Sequence, residues 1–98
     1  MNQRQSRTVA KENLPGKIHN RFKILLAEKE IEVSNRISYQ DIRDEIKQKT
    51  GVNIASSTLS KWANNEIERY DAVTLIILCD YFNCKIGDLL EYKSTSEP

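Results

Sequence analysis

The chain has 98 residues, with 15 Lys or Arg, 14 Asp or Glu and a formal net charge of +1. That length suits one domain with a modest core, and no run approaches the ~20 apolar residues that a membrane span needs. No apolar stretch near Met1 reads as a secretory signal, so a cytoplasmic protein with no membrane partner is expected. Cys79, Cys84 and the single His19 match no zinc or redox spacing, and neither metal nor cofactor is expected.

The charge is uneven along the chain. Residues 1–69 hold thirteen Lys/Arg against nine Asp/Glu, and residues 70–98 hold two against five. A positive pole of this kind is what attraction to phosphate requires.

In chain order, residues 1–16 are polar, carry Arg4, Arg7 and Lys11, and end in Pro15-Gly16. With little to bury, they read as a flexible basic arm, either lying along phosphates or uninvolved. Residues 17–30 place Ile18, Phe22, Leu25 and Leu26 at helical spacing, which predicts a first helix. Ile31, Val33 and Ile37 are expected to plug the base of the core.

The central stretch, residues 37–65, reads as two helices about a turn. In the first, Tyr39, Ile42 and Ile46 form an inward stripe. Ser38 suits the N-cap and Gly51 the left-handed end. In the second, Ala55, Leu59 and Trp62 recur on one side, leaving Ser56, Ser57, Ser60, Lys61 and Asn64 on the other. No Asp or Glu occurs between Val52 and Asn65, and an acid there would repel phosphate. A major groove admits such a helix, and short hydroxyl side chains allow close approach. The same polar face would also serve as ordinary solvated surface.

The connector Glu66-Ile67-Glu68-Arg69-Tyr70 follows, with Arg69 either clamping a phosphate or pairing with its neighbouring acids. Asp71 should cap the next helix, residues 72–82, which is apolar nearly all round and is therefore central or part of an interface. Asn83 should end it. Residues 85–92 read as a short final helix with Ile86, Leu89 and Leu90 folded back on the core. Residues 93–98 are a short polar tail.

TGVNIASSTLSKWANN and the later DAVTLIILCDYFNCKIGDLLEY resemble the Cro/cI repressor-like (XRE) family of helix-turn-helix DNA-binding domains. Gly51 stands in the turn, and Thr58-Leu59-Ser60-Lys61-Trp62 in the recognition helix. Asn64-Asn65 fall where the family often has Asn-Gly; Thr74-Leu75 and Leu78-Cys79 follow, and Asp88-Leu89-Leu90-Glu91-Tyr92 closes the domain. The resemblance covers residues 17–92, although the turn around Gly51-Val52-Asn53-Ile54 is longer than usual.

This resemblance implies an all-α, five-helix lambda-repressor-like bundle and a small bacterial or phage-type transcriptional regulator that binds double-stranded DNA. Its recognition helix, about residues 55–64, would enter the major groove. Ser56, Ser57, Ser60 and Lys61 are then candidate base readers, and Arg43, Asn64, Asn65 and Arg69 candidate phosphate contacts. Family members commonly pair, so a homodimer reading half-sites about 34 Å apart is a further expectation. The alternative is a protein-interaction or antitoxin-like adaptor using the same fold. No nucleophile–base pair or phosphate loop is visible, so neither an enzyme nor a small-molecule substrate is expected. With only residues 93–98 after Tyr92, control by concentration or by a partner is expected.

Overall fold

The computed structural model describes residues 14–95. Of the expected arm at residues 1–16, residues 1–13, with Arg4, Arg7 and Lys11, lie outside the described residues, whereas Pro15 and Gly16 are not a loose arm: the Pro15 carbonyl accepts from the Thr95 N–H at 2.8 Å and Gly16 opens a strand. The order of elements is β1 (Gly16–Asn20), α1 (Phe22–Val33), α2 (Tyr39–Thr50), α3 (Ser56–Ala63), α4 (Ala72–Phe82), α5 (Ile86–Leu89) and β2 (Leu90–Ser94).

Five helices are present among the described residues, as expected, but the fold is not purely helical. β1 and β2 form a two-stranded antiparallel sheet with Gly16 opposite Ser94 and Asn20 opposite Leu90. The expected first helix therefore splits. Ile18 sits four residues before Phe22 and mimics a helical stripe, yet Asn20 stops the pattern: its Oδ1 accepts from the Phe22 N–H at 3.0 Å, serving the first turn of α1 as a capping side chain does. Likewise only Ile86–Leu89 of the expected last helix is helical. Beyond it Leu90 to Ser94 alternate as a strand, and Lys93 and Ser94, read as tail, complete the pairing.

Gly16 has a reason to be glycine. A Cβ there would stand 2.5 Å from the Tyr92 ring and from the Lys93 carbonyl oxygen. The ring lies over it, with its hydroxyl donating to the Pro15 carbonyl at 3.3 Å.

The core gathers Phe22, Ile42, Ile46, Ile54, Leu59, Trp62, Ala63, Ile77, Leu78, Tyr81 and Leu89. Phe22 is its aromatic centre, edge-on to Phe82 at 5.5 Å and to Tyr39 at 6.5 Å between ring centroids. Several side chains expected inside lie outside. α1 runs on through Ile31 and Val33 before Ser34 ends it in the left-handed conformation, and that extension turns both outward, Ile31 being 78% exposed. Ile18 and Ile86 are exposed too. Ile37 is partly buried as expected, and its N–H bonds the Glu30 carboxylate at 2.8 Å, fastening the start of α2 to the end of α1.

α4 buries Ile77, Leu78 and Tyr81 but exposes Val73 and Ile76. Both of its ends are as the sequence suggests. Asp71 accepts from the Thr74 N–H at 3.0 Å, and Asn83 adopts φ 54°. Cys79 and Cys84 are free thiols packed partly against the core. No helix among the described residues is long and apolar enough to cross a membrane.

Candidate nucleic-acid interface

α2, the turn and α3 are built from local signals that agree. Ser38 Oγ accepts from the Asp41 N–H at 3.0 Å, and the Asp41 carboxylate accepts from the Ser38 N–H at 2.9 Å, a reciprocal capping box. At the other end Gly51, φ 78°, donates to the Lys47 carbonyl at 2.8 Å. Thr50 Oγ1 donates to the Ile46 carbonyl at 2.7 Å and accepts from the Val52 N–H at 3.1 Å, so the lengthened turn starts in a fixed direction.

Ile54, not Ala55, carries the turn into the core. Ile54 is buried and Ala55 is exposed, which corrects the inward place expected for Ala55. Ala55 precedes α3 in an extended conformation with no side-chain cap, leaving the first turn of that helix open. The positive end of the helix dipole lies there.

Within α3, Leu59 and Trp62 are 0% and 1% exposed, and Ala63 is buried beside them. Trp62 stacks edge-on against Tyr70 with centroids 5.1 Å apart. With that side fixed, Ser56, Ser57, Lys61 and Asn64 are exposed and Ser60 is partly buried. Lys61 also lines a shallow surface hollow with Glu66, Ile67, Glu68 and Arg69. Arg69 thus lies beside the outer side of α3, with acids sharing its surroundings.

Two of the candidate phosphate contacts have other partners. Arg43 is partly buried; its Nε donates to the Ile54 carbonyl at 2.7 Å and its Nη1 to Gln40 Oε1 at 3.0 Å. It braces the turn from α2. Asn65 adopts φ 56°, the left-handed residue after α3, while the next N–H, from Glu66, bonds the Lys61 carbonyl at 2.8 Å. This is a Schellman ending in which Asn fills the place glycine often takes. The Asn65 carboxamide is occupied as well: Oδ1 accepts from the Asn20 N–H at 2.8 Å, and Nδ2 donates to the Asn20 carbonyl at 3.3 Å. It pairs with β1 as a peptide of a third strand would.

Asn20 completes a small polar network. It is 6% exposed, and its Nδ2 lies 3.5 Å from the Tyr70 hydroxyl. The end of α3 is thereby tied to β1 and to the connector before α4. The sequence reading missed Asn20, Asp41 and Ile54 as positioning residues. The spacing of Ser38 and Asp41 was a visible signal, whereas the Asn20–Asn65 pairing had none.

A family model described as a Cro/C1-type HTH DNA-binding domain matches residues 21–94. The chain belongs to that family. The match begins at Arg21, one residue before α1, and takes in all five helices and β2, so the sheet strand Leu90–Ser94 falls within the family's span. Searches of curated proteins and of solved structures return no match.

Proposed function

We propose that the protein binds double-stranded DNA sequence-specifically as a small transcriptional regulator, with α3 in a major groove. The observation that carries this reading is the anchoring of Leu59 and Trp62, which turns a face of hydroxyls, amide and lysine outward with no acid on it. Ser56, Ser57 and Lys61 meet base edges, and Ser60 contributes from a more sheltered position. Each good base contact adds about 1–3 kcal/mol of discrimination. Asn64 and Arg69 hold phosphates, which set orientation but not sequence. Arg43 and Asn65 serve mainly to hold the turn and the end of α3, so their effect on DNA is indirect. In this reading two copies bind adjacent half-sites, and the chain performs no catalysis and needs no cofactor.

One observation favours a second reading, an adaptor or antitoxin-like module that binds protein. α4 leaves Val73 and Ile76 more than half exposed, apolar side chains that a protein partner could cover. Selection from a random duplex pool at fixed salt, followed by a salt titration, separates the two. DNA binding is expected to enrich one sequence and to weaken steeply with salt, with a slope of about −0.9 per neutralised phosphate. No enriched sequence and a flat salt response would favour the adaptor.

A further inference from the structure

Cys79 and Cys84 lie on either side of the end of α4, and the way that helix ends brings them together. Asn83 takes the left-handed conformation, and its N–H bonds the Asp80 carbonyl at 3.2 Å while the Cys84 N–H bonds the Cys79 carbonyl at 2.9 Å. These are the two bonds of a Schellman ending, which commonly sets the side chain of its last residue against that of its first. The same pair of bonds closes α1 and α3, where the first and last residues are Glu30 and Asn35, and Lys61 and Glu66. On α4 both places hold a thiol, and the Cys84 thiol donates to the Cys79 sulfur. Both thiols are free and only partly buried, so a small reagent can reach them.

We propose that Cys79 and Cys84 form a covalent modification site, a dithiol that a low-molecular-weight disulfide converts reversibly to an intrachain disulfide. In the first step the Cys79 thiolate attacks one sulfur of the small disulfide, breaking its S–S bond. A mixed disulfide forms on Cys79 and one small thiolate leaves. In the second step Cys84 gives up its proton to solvent, and its sulfur attacks Cys79 Sγ and expels the other small thiolate. The two cysteines lose two electrons and two protons, and the small disulfide gains them as two thiols.

The surroundings set the order of the steps. Burial first, then the charge and the hydrogen bond of Cys79, push the Cys84 thiol up to about 11; Asp88 adds to the effect and the Arg21 guanidinium opposes it. Cys84 therefore keeps its proton while Cys79 is a free thiol, and Cys79 is the first nucleophile. Once the Cys79 sulfur is bonded in the mixed disulfide, both of its contributions are gone and Cys84 ionises more readily. Arg21 stays at hand, because its Nη1 donates to the Asp88 carbonyl at 3.0 Å and its N–H to the Leu89 carbonyl at 2.7 Å. The second attack takes place between side chains already in contact, which favours it over capture by a thiol from solution. The closed bond would fasten the end of α4 to the segment that leads into α5.

The inference is independent of groove reading and is tested on the free protein. The reduced full chain is incubated with oxidised glutathione at neutral pH, quenched in acid, alkylated with iodoacetamide and weighed intact, with circular dichroism to monitor folding. The wild type is expected to lose both alkylation sites together, to retain no glutathione, to stay a single chain, and to regain both sites after dithiothreitol. Cys84→Ser should stop at a glutathione adduct on Cys79. Cys79→Ser should react about tenfold more slowly or worse, since the remaining thiol is protonated. A wild type that keeps both thiols, that carries glutathione on both cysteines, or that links two chains overturns the proposal. A folded Cys79→Ser protein that reacts as fast as Cys84→Ser overturns the assigned order of attack.

Discussion

Replacing Asn65 by Gly isolates what its carboxamide contributes, because glycine adopts φ 56° without strain. The change removes the hydrogen bonds of 2.8 and 3.3 Å to the Asn20 peptide. Each contributes about 0.5–1.5 kcal/mol net, so the pair contributes about 1–3 kcal/mol. Two backbone effects oppose each other: relief of the left-handed cost in the folded state, and greater freedom of the unfolded chain, which costs about 0.4–1 kcal/mol. The expected net loss is about 1–3 kcal/mol. With a urea m-value of ~1 kcal/mol/M for a small domain, the midpoint should fall by on the order of 1 M. Asn65→Ala should fall further, since it adds the left-handed strain of a Cβ. Urea unfolding followed by tryptophan fluorescence suits the assay, because Trp62 lies in the affected helix. A glycine variant as stable as the wild type would refute the fastening role. If it also lost DNA affinity, the phosphate contact first expected of Asn65 would be the better account.

Three other outcomes are expected. Leu59→Ala, at a fully buried position, should cost about 2–5 kcal/mol by urea unfolding, and a loss under 1 kcal/mol would contradict the anchoring of α3. Asp71→Ala should cost about 0.5–2 kcal/mol through the lost cap of α4. The bonds from Thr74 hold the Asp71 carboxyl below its ordinary 3.8, so the cap's contribution is complete above that pH and fades as pH falls beneath it; an acid titration of the difference between Asp71→Ala and wild type that stays flat would argue against the cap. Burial, with the Cys79 thiol beside it, pushes the Cys84 thiol up to about 11, so alkylation at pH 8 should be much slower than for a free thiol; reaction at the free-thiol rate would show that the end of α4 opens readily.

What could be read from the sequence was local. Ser38, Gly51, Asp71 and Asn83 announce helix ends through their own side chains or conformations, and each does so in the fold. The inward places of Leu59 and Trp62 followed from spacing within one helix. The errors were at the ends, where the deciding partner is distant in sequence. Nothing near Ile18 reveals that Tyr92 will lie opposite it, and without that partner Ile18 looks like one more member of the Phe22 stripe. The structural bonds of Arg43 and Asn65 were hidden for the same reason: the Ile54 carbonyl and the Asn20 peptide that they meet come close only in the folded chain. On the outer side of α3, the exposure of Ser56, Ser57, Lys61 and Asn64 was legible in the sequence.

The central claim is that the outer side of α3 meets DNA, and Lys61 is its exposed cation. The direct measurement is the affinity of Lys61→Glu for the duplex selected by the wild type, at one fixed salt concentration, with the fold checked by thermal unfolding. The account expects an unchanged melting temperature and an affinity at least tenfold weaker, the order of one lost base or phosphate contact. Wild-type affinity in a folded Lys61→Glu protein would contradict it.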